Sequence, residues 1–243
     1  MMNNEKILLE AGIHGGEFVN AWRINRTKKL INILGKNWFK NKSILELGCG
    51  FGNIGLYLKS LGADVTLTEV VPESIDIIKV KDPSIQVILL NQEEKWKLDK
   101  NYDLIIHFAL LNNLNNWKQD LACALEHTNL LVLDAAVTKF SMDSECKFID
   151  NYGHKWCGAY AGIGSLPSSY NIEKILLHNG FQYTRFDDSD LNTYDNNFLR
   201  IRYDWVDDDS DYFSVSNMKP MIFNSSMNNP FYGGRRFWIA RRI

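Results

Sequence analysis

Residues Ile44 to Gly52 read ILELGCGFG, and this stretch decides the fold. An apolar strand that contains one acid, Glu46, is followed by glycines at positions 48, 50 and 52. A buried strand that leads into a glycine-rich turn, and then into a helix pattern over residues 53–60, is typical of the first unit of a nucleotide-binding α/β sheet. Glycine allows the tight turn and the approach of a ligand to bare backbone. The free N–H groups of the following helix point at the same place.

The rest of the chain repeats this unit. Apolar runs predict five strands, at residues 43–47, 64–68, 85–90, 102–108 and 130–134. Helix patterns lie between them, at residues 53–60, 72–79 and 117–126. A helix from Ser168 or Ser169 to Leu177, a strand at 181–186 and a final alternating strand at 236–243 follow. Alternation of strands and helices implies right-handed crossovers and a doubly wound, mostly parallel α/β sheet.

The motif Glu46-Leu-Gly48-Cys-Gly50-Phe-Gly52 resembles the first motif of class I S-adenosylmethionine-dependent methyltransferases, a hydrophobic strand ending in (D/E)-x-G-x-G-x-G. The resemblance covers residues 40–135 well and 168–186 loosely. It implies a Rossmann-like methyltransferase fold with seven strands, the last of them inserted antiparallel beside the sixth. It also implies methyl transfer from S-adenosyl-L-methionine to an O or N atom, with S-adenosyl-L-homocysteine as the product.

A second glycine pattern leaves alternatives open. Gly50, Gly52 and Gly55 form a literal G-x-G-x-x-G, the fingerprint of dinucleotide enzymes. In those folds the first glycine directly follows the strand, and here Gly48 takes that place, which favours the methyl donor. A non-catalytic module that binds S-adenosylmethionine remains the second interpretation, and an NAD-dependent oxidoreductase the third.

The predicted donor site follows the ends of the first four strands. Glu69 ends the second strand, where an acid can accept hydrogen bonds from both ribose hydroxyls of an adenosine. Glu46 would orient the amino group of the methionine part, or else form a salt bridge with a basic residue such as Lys28. The resemblance implies that Asn91 or Gln92 contacts the adenine amino group. The complete set of predicted donor-binding residues is Glu46, Gly48, Cys49, Gly50, Gly52, Asn53, Glu69, Val70, Asn91, Gln92, Phe108 and Ala109.

Two histidines are candidates for a catalytic base. His107 lies at the end of the fourth strand, and imidazole is the side chain that titrates near neutral pH; a histidine on a buried strand is also often a structural donor. His154 lies near Trp156, Tyr160 and a GIGSLPS loop, and we expect Trp156 and Tyr160 to bind substrate unless these residues only pack the segment onto the core. The sulfonium donor is already activated, so alignment and exclusion of water are the main requirements.

Residues 1–243 are interpreted as a single methyltransferase domain. Residues 1–40 form a helical extension, either a lid over the donor or a partner surface, and residues 43–135 form the donor-binding core. The segments 138–167 and 187–232 are long and irregular, which is typical of functional insertions, so we expect them on the substrate side.

Composition and charge limit the classes of partner that we expect the protein to bind. The net charge of −2 provides no basic field for nucleic acid, and no apolar run reaches the roughly 18 residues of a membrane span. Four cysteines without metal-ligand spacing fit a reduced compartment. We therefore expect a cytoplasmic protein with a small-molecule acceptor, no nucleic acid, no membrane and no metal; the oligomeric state stays open. The last strand carries the only basic cluster, interpreted as a solvated edge strand: Arg235, Arg236, Arg241 and Arg242.

Overall fold

The computed structural model describes residues 6–9, 17–138, 145–149, 159–186, 188–195, 198–201, 203 and 232–243. The helices are α1 Lys6–Leu9, α2 Glu17–Leu34, α3 Asn53–Ser60, α4 Pro72–Lys81, α5 Trp117–Glu126 and α6 Ser169–His178. The first strands are β1 Ser43–Leu47, β2 Asp64–Glu69, β3 Gln86–Leu89, β4 Leu104–Phe108 and β5 Leu130–Thr138. The later strands are β6 Glu145–Ile149, β7 Ile163–Pro167, β8 Phe181–Phe186, β9 Thr193–Asp195, β10 Phe198–Ile201 and β11 Tyr232–Arg242.

One sheet of seven strands organises the molecule, in the order β3-β2-β1-β4-β5-β11-β8. β1 to β5 pair in parallel, whereas β11 is antiparallel to both of its neighbours, β5 and β8. The predicted fold class is confirmed, including the antiparallel insertion of the last strand beside the sixth predicted strand.

Agreement with the predicted bounds is closest where the local signals are strong. β1, α3, α5 and β8 have the predicted limits. The α6 helix begins after Ser168, whose Oγ accepts a hydrogen bond from the Asn171 N–H, as expected of an N-cap. β5 and β11 are longer than predicted because they pair with each other beyond the apolar runs, from Tyr232 opposite Thr138 to Arg241 opposite Leu130.

Two expectations are wrong. Residues 163–167 are not a loop but the strand β7, which is antiparallel to β6 and buried from Gly164 onward. The last strand is not a solvated edge: it lies inside the sheet, so Arg235 and Arg236 are only 7% and 1% exposed. Arg241 and Arg242 are exposed, because they lie at the outer end of β11.

Two apolar layers cover the sheet. On one face, Ile44 and Ile106 pack with α3 and with Leu30 of α2. On the other face, Leu45 and Ile105 pack with α5 and α6. Alternation along the buried strands produces this division, since successive side chains point to opposite faces. The carboxyl ends of β1, β2, β4 and β5 therefore meet at one edge, with α2 beside it.

Candidate active site

The glycine turn between β1 and α3 has the backbone that the motif predicts. Gly48, Gly50 and Gly52 have φ values of 59°, 57° and 72°, a region that only glycine adopts readily. A Cβ at Gly48 would lie 2.8 Å from Leu110 Cδ1, whereas a Cβ at Gly50 would meet nothing within 4 Å. Gly48 thus allows the loop after β4 to pack closely, and Gly50 presents bare backbone to open space.

Glu69 closes this turn onto β2. Its Oε2 accepts a hydrogen bond from the Gly50 N–H at 2.7 Å, and Oε1 accepts from the N–H groups of Val70 at 2.9 Å and Val71 at 3.1 Å. Burial raises the pKa of this carboxyl group, and the three hydrogen bonds oppose the shift. The carboxylate predicted to bind ribose therefore also shapes the donor turn.

Glu46 lies directly below the turn and is 4% exposed. Its Oε2 accepts a hydrogen bond from the Gly55 N–H at 2.7 Å. Burial raises the pKa of this carboxyl group to about 7, although Arg26 and Arg23 of α2 favour the ionised form. Within the described part of the chain, Glu46 forms no ion pair with Lys28, the alternative partner that the sequence suggested.

The other residues of the glycine turn have structural contacts. The Asn53 side chain donates to the Ile7 carbonyl oxygen at 2.8 Å and accepts from Lys81 Nζ at 2.9 Å, so it fastens α1 to the start of α3. Burial raises the pKa of the Cys49 thiol, an effect that Glu46 reinforces. The Cys49 thiol is therefore protonated and a poor nucleophile.

The two candidates for the adenine contact differ in burial. Gln92 is 2% exposed, and its Nε2 donates to Thr68 Oγ1 at 3.0 Å. Asn91 is half-buried, and its Nδ2 donates to Glu94 Oε1 at 3.0 Å. Val70 beside them is also half-buried. Asn91 is therefore the more accessible amide at this end of the site.

The end of β4 is held in an unusual conformation. Ala109 has a φ of 58°, which is strained for a residue with a Cβ and is often found at functional sites. Its N–H donates to the Asp134 carbonyl oxygen at 2.8 Å, and its carbonyl oxygen accepts from Asn113 Nδ2 at 3.0 Å. The neighbouring strand and the following turn thus fix Phe108 and Ala109.

His107 is turned away from this edge and is fully buried. Its Nε2 lies 2.6 Å from Asp120 Oδ2 on α5, and Asp120 Oδ1 accepts a hydrogen bond from Trp96 Nε1 at 2.8 Å. This network favours the structural interpretation of His107, since a base needs contact with its acceptor. Of the insertion residues, His154 and Trp156 lie outside the described residues, and Tyr160 is 62% exposed.

A cluster that the sequence did not indicate lies beside the end of β4, around Asp134 in the middle of β5. Asp134 accepts hydrogen bonds from Arg26 Nη1 at 2.7 Å and from Arg235 Nε at 2.9 Å. The Arg26 guanidinium lies 3.8 Å from the Trp22 ring centre, and Trp22 Nε1 donates to the Tyr203 hydroxyl at 2.7 Å. The one signal of this cluster in the sequence was Asp134 itself. An acid at the end of a predicted apolar strand is buried and therefore needs a partner.

The described residues contain no group of three or more His, Cys, Asp or Glu side chains that could hold a metal ion. They also contain no helix that is long and apolar enough to span a membrane.

The family follows from sequence comparison. Residues 19–185, more than half of the chain, match the family described as "Methyltransferase domain". The chain belongs to this family and is an S-adenosylmethionine-dependent methyltransferase, which confirms the predicted class and its methyl donor. Among curated proteins, none is significantly similar to it in sequence.

Solved structures show the same fold at low sequence identity. Magnesium protoporphyrin IX methyltransferase from Synechocystis PCC 6803 with bound SAM has a TM-score of 0.56 and 12% identity, covering 99% of this chain and 90% of that one. The N-terminal domain of EvdMO1, in the presence of SAH and D-fucose, has a TM-score of 0.61 and 13% identity, covering 100% and 97%. A candidate RNA methyltransferase, PH1948 from Pyrococcus horikoshii, has a TM-score of 0.52 and 13% identity, covering 100% of both chains.

Proposed function

We propose that this enzyme transfers the methyl group of S-adenosylmethionine to an O or N atom of a small-molecule acceptor. The observation that carries the proposal is the wall beside the end of β4. There the Arg26 guanidinium of α2 lies 3.8 Å from the ring centre of Trp22 and 5.0 Å from that of Phe108, and Trp22 donates a hydrogen bond to the Tyr203 hydroxyl. A walled site suits an acceptor that can be enclosed, and the net charge of −2 gives no general attraction for nucleic acid.

The donor is proposed to lie along the glycine turn. Gly50 presents the open backbone, Glu69 contacts the ribose, and Asn91 is placed for the adenine amino group. The two hydrogen bonds that fix Ala109 support a rigid wall near the sulfonium methyl group. Rigid alignment of donor and nucleophile provides most of the rate in a reaction that needs no strong base.

The segments outside the sheet complete the site in this proposal. α1 is fastened to α3 through Asn53, and Leu8 is buried beside it, which supports a lid role for residues 1–40. The β6–β7 hairpin belongs to the insertion 138–167 and packs beside the turn after β4, which supports an acceptor role. Cys49 and Cys123 are free thiols, in keeping with the predicted cytoplasmic location.

The test uses the protein with radiolabelled S-adenosylmethionine. A low-molecular-weight cell extract and a total RNA fraction are offered separately as acceptors, and label transfer is counted in each. We expect label in a small molecule and none in RNA. Transfer to RNA alone would overturn the acceptor class, and transfer to neither fraction by a protein that binds S-adenosylhomocysteine would also contradict a small-molecule acceptor in that extract.

A further inference from the structure

β3 is an outer strand of the seven-stranded sheet, and apolar side chains are exposed beside it. It pairs with β2 on one side, and no strand in the described part of the chain pairs with its other side. Leu89, the last residue of β3, is 62% exposed, and Val80 near the end of α4 is 84% exposed. The unpaired backbone groups of such an edge can form hydrogen bonds with a strand of another chain.

The other outer strand of the sheet, β8, differs from β3 in the side chains that it exposes. The exposed side chains of β8 are polar: Gln182, Thr184 and Arg185. β3 reads QVIL and contains neither a charged residue nor a proline, two features with which native edge strands avoid pairing. The comparison therefore points to β3 as the edge that can accept a further strand.

The geometry of β3 suits an antiparallel copy of itself. Val87 and Leu89 project to the same face, because side chains alternate along a strand. Val87 packs in one apolar layer with Ile78 of α4, so Leu89 and α4 lie on the same side of the sheet. A two-fold axis perpendicular to the sheet at Ile88 would place Leu89 opposite Val87 of the second copy. The same axis keeps the two α4 helices on one face of the continued sheet.

The start of β3 is basic. Lys79 and Lys81 lie in the last turn of α4, and Lys79 Nζ donates a hydrogen bond to the Ile85 carbonyl oxygen just before the strand. No carboxylate in the described residues lies within ion-pair distance of Lys79. Asp82 does not cancel the positive charge, because it forms an ion pair with Lys59 at 2.6 Å.

The segment after β3 is acidic, since Glu93 and Glu94 outnumber Lys95. Glu94 is exposed and accepts a hydrogen bond from the neutral Asn91 side chain at 3.0 Å. Antiparallel pairing of two β3 strands brings the basic start of each strand to the acidic end of the other. The charges at this edge are therefore complementary to those of a second copy of the same chain.

We propose that β3 pairs with β3 of a second copy of this chain, so that the enzyme is a two-fold symmetric dimer with one continuous sheet. A two-fold axis joins the same surface of both copies, and such an interface must be complementary to itself. The backbone hydrogen bonds and the apolar pair of Leu89 and Val87 hold the two strands together. The charges at the strand ends fix their antiparallel direction.

Sedimentation equilibrium over about a hundredfold range of protein concentration tests the proposal. We expect the wild type to pass from the monomer mass of 28.1 kDa to twice that mass. Leu89→Lys should weaken the association by about tenfold or more, because it places a charge against an apolar side chain of the second copy. Leu177→Lys on α6 is the matched control, since Leu177 is 57% exposed; it should associate like the wild type.

Two charge reversals test the direction of pairing. Lys79→Glu and Glu94→Lys should each weaken the dimer by about threefold to tenfold, since like charges then meet at both ends of the interface. An equimolar mixture of the two variants should recover the association, because each variant is complementary to the other. Far-UV circular dichroism of each variant checks that it is folded.

Three results would overturn the proposal. The first is a wild type that stays monomeric over the whole range of concentration. The second is a dimer that persists in Leu89→Lys, which would place the interface elsewhere. The third is a mixture of the two charge variants that associates no better than either variant alone.

Discussion

Replacement of Glu46 by glutamine should stabilise the protein while it weakens donor binding. Glu46 is buried, and its pKa is raised from 4.5 to about 7. A carboxyl group with a higher pKa in the folded state stabilises the fold below its unfolded pKa, and this contribution is lost as the pH rises through the folded pKa. Glutamine stays neutral and can still accept the hydrogen bond from Gly55. At 1.36 kcal/mol per pKa unit, Glu46→Gln should be more stable by about 1 kcal/mol at pH 5 and about 3 kcal/mol at pH 8.

Urea unfolding at several pH values measures this difference, and Glu126→Gln, at an exposed position, is the control. The same Glu46→Gln variant should bind S-adenosylhomocysteine about tenfold more weakly, because a neutral amide replaces the partner of the ligand's ammonium group. Higher stability together with weaker binding in Glu46→Gln would show that the Glu46 carboxylate destabilises the fold and contributes to ligand binding. Parallel pH profiles for wild type and variant would refute the reasoning about burial.

Three other changes test the remaining contacts. Glu69→Ala removes the acceptor of three backbone N–H groups and should lower the free energy of unfolding of the ligand-free protein by about 3 kcal/mol; unchanged stability in urea would contradict a structural role. Gly48→Ala and Gly50→Ala both place a Cβ at positive φ, at a cost of about 1–2 kcal/mol each, but only Gly50→Ala directs that Cβ into open space. Gly50→Ala should therefore reduce the affinity for S-adenosylhomocysteine by more than its loss of stability explains. An unchanged affinity in Gly50→Ala would show that the donor does not lie against Gly50. Asp120→Asn disturbs the network of His107 and Trp96 and should lower the melting temperature and change tryptophan fluorescence without affecting S-adenosylhomocysteine affinity; a loss of affinity in the folded variant would place the network in the donor site.

The donor half of the fold could be predicted from the sequence because its signals are local. The glycines at 48, 50 and 52 specify a backbone conformation that other residues avoid. The apolar run of β4 could only be a strand buried on both faces, and Ser168 marked the start of α6 by the chemistry of its own side chain. The order of these elements then allowed few sheet topologies.

Contacts between distant residues could not be predicted in this way. Nothing near Arg235 in the sequence distinguishes a buried strand from an exposed one; its burial depends on β8, which pairs with the other side of β11. His107 has the same local sequence whether it faces the acceptor or α5, and its direction is decided by Asp120.

The sequence by itself determined the class of the protein, its methyl donor and the strand ends at which that donor is expected, since these depend on short motifs and on the order of elements. Only the tertiary structure brought Arg26 of α2 to the end of β4 and joined it to Asp134, 108 positions later in the chain. The physical reason is that a buried charge pairs with an opposite charge that is close in space. Such a partner can stand anywhere in the sequence, so no local pattern or periodicity predicts it.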